Sequence, residues 1–183
     1  MSAYKLVFSG PVGSGKTTAI AAISDVDPFT TEEVATDETR ELKANTTVAM
    51  DYGMMKLDTG DRIHLYGTPG QERFDFMWDI LTDGAIGLVL LLNHAGPEPL
   101  EQLDYYLDQF GGFISSTGLA VGVTRREAGT RPGLDDYQAR LAGRQIGAPV
   151  FEVDARRPGD VAMLVQALLY SLDPGVDASG DEL

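Results

Sequence analysis

The chain has 183 residues and carries 14 Lys and Arg against 28 Asp and Glu, a formal net charge of −14. That length is one ordinary domain, able to bury a core without staples, and that charge opposes a nucleic-acid or anionic-membrane partner, because phosphate affinity comes mostly from Lys and Arg. Cysteine is absent, which excludes a disulfide scaffold, thiolate metal sites and a thiol nucleophile, and His64 and His94 are too few for most transition-metal sites.

Residues 4–9 read as a buried strand, and residues 16–24, rich in Ala and Ile, as a helix that follows a glycine-rich turn. Residues 25–47 hold seven acids and two bases without periodicity, and connections of that length are usually functional or disordered. Residues 48–57 and 63–66 read as two strands joined at Asp58-Thr59-Gly60-Asp61, a hairpin signal. A short helix is expected over 74–81. Residues 85–92 form a near-continuous apolar strand, the kind covered on both faces of a parallel sheet. Leu100, Leu103, Tyr106, Leu107 and Phe110 set a helix over 99–110. A strand at 119–123, an arginine-rich loop at 124–133, a helix at 135–141, a strand at 149–153 and an amphipathic helix at 160–172 follow. Residues 173–183 read as a frayed acidic tail. Strands alternating with helices predict an α/β domain over 1–172, with a mostly parallel six-stranded sheet and one antiparallel edge strand from the hairpin. Neither an apolar leader nor a run long enough to span a bilayer is seen, so a cytoplasmic protein without a stable membrane anchor is expected.

Gly10-Pro11-Val12-Gly13-Ser14-Gly15-Lys16-Thr17 matches G-x-x-x-x-G-K-[ST], placed after a strand and opening a helix as the motif requires. Backbone N–H groups of such a loop point at phosphate oxygens. Lys16 supplies a point charge to the β- and γ-phosphates, and the Thr17 hydroxyl binds Mg²⁺. Residues 10–17, with Thr18 behind them, are therefore the expected contacts of a nucleoside triphosphate. The motif chooses neither the base nor the reaction.

Some fifty residues on, Tyr66-Gly67-Thr68-Pro69-Gly70-Gln71-Glu72 follows a strand. Here the chain resembles the Ras-like small GTPases, and among them the prokaryotic branch typified by MglA, in which a T-x-P-G-Q form replaces D-x-x-G-Q. The resemblance implies a three-layer G domain that cycles between GTP and GDP with Mg²⁺. Gly70 would meet the γ-phosphate, and Gln71 would orient the attacking water. Gly67 stands where most relatives carry an aspartate behind the metal, which implies loose Mg²⁺ binding in the diphosphate state. Asn45-Thr46-Thr47-Val48-Ala49-Met50-Asp51-Tyr52 resembles the first switch. Counting back from Asp51-Tyr52 makes Thr47 the threonine that completes Mg²⁺ coordination when a γ-phosphate is present, with Thr46 second in line. Gln71, Lys16 and Thr47 are thus the expected catalytic groups, and Thr17 and Thr47 the metal ligands.

Thr124-Arg125-Arg126-Glu127 stands where the family places N-K-x-D. The Glu127 carboxylate can accept from guanine N1–H and N2–H₂ and opposes adenine N1, while Arg125 can lie against the base. Glu152-Val153-Asp154-Ala155-Arg156 resembles the last base-binding loop, where the Ala155 amide would donate to guanine O6. The expectation is a slow regulatory GTPase, with a Roadblock/LC7-type partner implied by the resemblance alone. A nucleotide-dependent binding module with little hydrolysis and a small P-loop kinase are the alternatives. Trp78 and Phe76 are core anchors or part of a partner surface; Met54, Met55 and Met163 are expected to pack in the core or hairpin, and His64 to be a strand side chain and not a ligand.

Overall fold

The computed structural model describes residues 1–30, 50–69 and 76–172. β1 (Ala3–Ser9) runs through the phosphate loop into α1 (Lys16–Ile23). Next come β2 (Phe29–Thr30), the hairpin of β3 (Asp51–Lys56) and β4 (Arg62–Gly67), and α2 (Phe76–Thr82). β5 (Gly87–Asn93), α3 (Pro99–Gln109), α4 (Gly111–Ser116) and β6 (Gly118–Thr124) follow. α5 (Leu134–Gly143), β7 (Val150–Glu152) and α6 (Pro158–Leu172) complete the order.

One sheet forms in the order β2-β3-β4-β1-β5-β6-β7. β1 lies parallel between β4 and β5, and β6 and β7 continue the parallel half. β3 runs antiparallel to β4 and also to β2. The six expected strands are all present with the expected directions. The two-residue β2 was not foreseen and adds a short seventh strand outside the hairpin.

Continuous apolar strands give this sheet its two covered faces. In β5, Leu88, Leu90 and Leu92 point into one core with Leu103, Tyr106 and Leu107 of α3 and Tyr137 and Leu141 of α5. Val89 and Leu91 point the other way, against Ala19 and Ile20 of α1 and Leu164 and Leu168 of α6. All five β5 residues are fully buried, and each such side chain contributes about 1.5–3 kcal/mol on leaving water. α6 approaches β6 closely because Gly122 leaves room. A Cβ there would lie 2.8 Å from both Leu164 Cδ2 and Leu91 Cδ2.

Trp78 of α2 is a core anchor. It is buried and stacks on Phe110 and Tyr106, with ring centroids 4.9 and 5.4 Å away. Met55 packs partly buried at the edge of the second core, whereas Met163 is exposed on α6, contrary to the expectation for it. Gly111-Gly112 disfavours a helix over 111–116. Tertiary contact overrides that preference: Ile114 is buried, and the Ile114 N–H donates to the Phe110 carbonyl at 2.8 Å, which carries the turn on from α3.

From β1 the chain turns first to one side of the sheet and later to the other. The carboxyl ends of β1, β5 and β6 therefore border a crevice, where open α/β sheets bind ligands. No helix among the described residues is long and apolar enough to cross a membrane.

Candidate functional site

The phosphate loop is built by backbone shape. Gly10, Gly13 and Gly15 have φ of 146°, 79° and 98°, a region that favours glycine. At Gly10 a side chain is doubly excluded, because a Cβ would collide with the Leu91 carbonyl. The Ser14 N–H closes the turn on the Pro11 carbonyl at 3.1 Å, and Ser14 is fully buried. α1 starts without a side-chain cap, so its first N–H groups face the loop as an anion site.

Lys16 arches back over this turn. Its ammonium donates to the Gly10 and Pro11 carbonyls at 2.6 and 2.9 Å and reaches Ser14 Oγ at 3.4 Å. Burial lowers its pKa to about 8, against the opposing charge of Asp51. Pro11 borders the loop, and Val12 projects from its rim, 65% exposed. Thr17 and Thr18 stand exposed at the start of α1.

Thr17 Oγ1 donates to Asp51 Oδ2 at 2.6 Å. Asp51 opens β3 and pairs across the antiparallel ladder with Gly67, the last residue of β4. A Cβ on Gly67 would lie 3.0 Å from Asp51 Cβ and 3.1 Å from Asp51 Oδ2. Thus a carboxylate from β3 stands over the end of β4, beside the Thr17 hydroxyl. Sequence reasoning placed Asp51 only as a counting landmark. Its signal was the pairing of a short hairpin, which sets Asp51 opposite Gly67. A hydroxyl and a carboxylate are hard oxygen donors suited to Mg²⁺, which keeps several waters and uses one or two carboxylates beside substrate phosphates. Among the described residues no cluster of three or more His, Asp or Glu makes a metal cage of its own.

Beside the loop lies a cavity of about 680 Å³, lined by Ser14, Gly15 and Thr18, by Thr124, Arg125 and Arg126, and by residues from Glu152 to Arg157. The two expected base segments therefore meet at one cavity. Thr124 is buried, and its hydroxyl shares its one proton between the Ser14 carbonyl at 2.8 Å and the Leu92 carbonyl at 3.1 Å, which ties the phosphate loop to β5 and β6. Ala155 is buried, and a Cβ at Gly15 would come within 2.9 Å of its own Cβ, so the last loop packs on the first. Asp154 accepts from the Arg156 backbone N–H, Nε and Nη2 at 3.0, 2.9 and 2.8 Å. Those bonds hold its carboxyl well below the usual carboxylate range and raise Arg156.

Arg125 has a positive φ of 56° and an exposed side chain. Glu127 is exposed and does not line the cavity. Glu152, Asp154 and Asp160 are the carboxylates in its lining, and Glu152 accepts from Arg126 Nη1 at 2.8 Å. Thr47, Gly70 and Gln71, with Thr46, lie outside the described residues. At the near edge of that segment, the Thr68 N–H donates to the Phe8 carbonyl at 2.9 Å and its hydroxyl shares a 2.8 Å hydrogen bond with Ser9.

Known proteins share parts of this arrangement. Residues 25–98 match a family described as a conserved hypothetical ATP binding protein. That match takes in the hairpin, α2 and β5, and begins after the phosphate loop. An uncharacterized protein of Methanocaldococcus jannaschii is 32% identical over 101 residues, covering 51% of this chain and 65% of that protein. The matched stretch thus spans just under two thirds of the relative. The crystal structure of the bacterial selenocysteine-specific elongation factor EF-Sec superposes with a TM-score of 0.63 at 19% identity, covering 93% of this chain and 29% of that one. At that identity the likeness is one of fold: a mixed α/β sheet, here with a phosphate-loop motif between its first strand and first helix.

Proposed function

We propose that the chain is a small guanine-nucleotide switch that binds GTP or GDP with Mg²⁺ and hydrolyses GTP slowly. The observation that carries the reading is the Thr17–Asp51 contact beside Gly67. It joins the metal-binding hydroxyl of the phosphate loop to the first residue of β3, four positions after Thr47. Thr17 would hold Mg²⁺ directly, and Asp51 would hold it directly or through a water. The ion would neutralise phosphate charge. Thr47 would join only when a γ-phosphate is present, so occupancy of the site would be transmitted along the segment leading into β3.

The remaining roles follow the chemistry of each side chain. Loop N–H groups and Lys16 bind the phosphates, and Gln71 orients the attacking water. Glu127 accepts from the donor edge of guanine, Arg125 lies on the base, and the Ala155 amide meets O6. A Roadblock/LC7-type protein is the proposed stimulating partner, carried by the family resemblance.

A second reading takes adenine as the base. It is favoured by the match over 25–98 to a family described as ATP binding and by the position of Glu127 outside the cavity lining. Identifying the nucleotide that co-purifies with the protein, followed by competition of GTP and ATP for a labelled GTP analogue, separates the two. ATP competing as well as GTP refutes the guanine reading. Phosphate release with and without an acceptor nucleotide tests for a kinase.

A further inference from the structure

His94 lies just past the end of β5, outside the cavity, and none of the roles above uses it. It is nevertheless fastened to the loop that carries Glu127. Its backbone N–H donates to the Thr124 carbonyl at 3.0 Å. Its Nε2 lies 3.0 Å from Thr130 Oγ1, and its Nδ1 lies 2.9 Å from the Tyr137 hydroxyl on α5. Thr130 Oγ1 donates its single proton to the Glu127 carbonyl at 2.6 Å. The hydroxyl can therefore only accept from His94, so Nε2 carries the proton. Nδ1 is then bare and accepts from Tyr137. The Tyr137 side chain is buried, and its pKa is raised to about 12, so it keeps the proton it donates.

The result is a one-way chain of donors, Tyr137 to His94 to Thr130 to the Glu127 carbonyl. The Thr130 N–H donates to the same carbonyl at 3.2 Å, and Arg126 Nη2 reaches the Thr130 carbonyl at 3.3 Å. The turn at 127–130 is thus held from α5 and β5 through one imidazole.

We propose that neutral His94 is a positioning residue for base selection, fixing the turn that carries Glu127 next to Arg125 and Arg126 of the cavity lining. This rests on the reading of Glu127 as the base-selecting carboxylate. Protonation at Nδ1 would set an N–H against the buried Tyr137 O–H and break the direction of the chain. The charged and titratable groups facing the ring are Arg126 from the base loop, Glu152 from β7 and Tyr137 from α5. Burial and the Arg126 charge lower the His94 pKa, and Glu152 opposes them.

The test is the ratio of GTP to ATP affinity, measured by displacement of a fluorescent GTP analogue from the full chain. The ratio is insensitive to the fraction of protein that folds, since both nucleotides compete for the same molecules. The variants are His94→Leu, His94→Gln and Glu127→Gln, at about pH 8, where a lowered histidine is neutral. His94→Leu is expected to lower the ratio about 3–30-fold. His94→Gln, whose amide can donate to Thr130 and accept from Tyr137, should keep it. If Glu127→Gln removes discrimination while His94→Leu leaves it intact, the positioning role is overturned and the base reading stands. If wild-type protein binds both nucleotides equally, both fall.

Discussion

The Thr17 hydroxyl donates to Asp51 at 2.6 Å, and the carboxylate it meets stands over the α-carbon of Gly67. Two adjacent antiparallel strands thus share one position: one contributes the carboxylate, the other the space for it. If the site holds Mg²⁺ as proposed, Asp51 would supply the carboxylate that Gly67 does not.

Asp51→Ala should weaken Mg²⁺ binding to the nucleotide complex about 10–100-fold, the range in which supporting partners matter. Gly67→Asp alone should also weaken it, since its side chain enters space held by Asp51 and Ile20. Combining Asp51→Gly with Gly67→Asp should recover much of the loss. Nucleotide release during EDTA and Mg²⁺ titrations measures all three. An unaltered Mg²⁺ requirement in Asp51→Ala would remove Asp51 from the metal site.

Lys16 makes phosphate binding sensitive to alkaline pH. Its ammonium is lowered from 10.5 to about 8 by burial, and bound phosphate needs it charged. GTP affinity should fall as pH rises above about 8, by at most about tenfold per pH unit for one linked proton. In the empty protein the sign is opposite. Between about 8 and 10.5 the unfolded chain binds the extra proton, so stability contributed by this group rises with pH. Calorimetric titration across that window checks the first statement, with Lys16→Ala expected to bind weakly and without this pH slope.

Thr124 holds the phosphate loop from below. Thr124→Val leaves the buried Ser14 and Leu92 carbonyls without that donor and should cost about 1–3 kcal/mol of stability. GTP should also dissociate faster from the variant, because the loop loses its tie to β6. Urea unfolding and stopped-flow nucleotide release test the two effects separately. A variant as stable as the parent, with unchanged release, would show that the tie is dispensable.

On the proposed GTPase reading hydrolysis is expected to be slow, because the exposed Val12 side chain stands on the phosphate loop where most Ras-type loops carry glycine. Small GTPases without help turn over at roughly 10⁻⁴ per second, and partners add up to about 10⁵-fold. Val12→Gly should raise the intrinsic or partner-stimulated rate, and Gln71→Leu should remove it. Single-turnover phosphate release, with and without a Roadblock/LC7-type protein, gives the rates. Fast intrinsic release that ignores Gln71→Leu would overturn the role given to Gln71.

What the sequence determined by itself is what local patterns encode. The apolar run at 85–92 announced a strand buried on both faces, because periodicity is a property of consecutive residues. Gly10 to Thr17 announced the phosphate loop, because the shape of the turn resides in its own glycines. Neither Asp51 nor His94 is legible that way. Asp51 matters because a hairpin register sets it opposite Gly67, and its hydrogen bond to Thr17 crosses 34 positions of the chain. His94 matters because a ring from the end of β5 meets a hydroxyl 36 positions on and a phenol 43 positions on. The helix at 111–116 runs against its own glycines because Ile114 finds a core to enter. Likewise Thr124 and Ala155 support the nucleotide site through contacts that only the closed sheet brings together. Local composition selects the elements; side chains from distant strands become neighbours only when burial of both sheet faces has fixed the register between those strands.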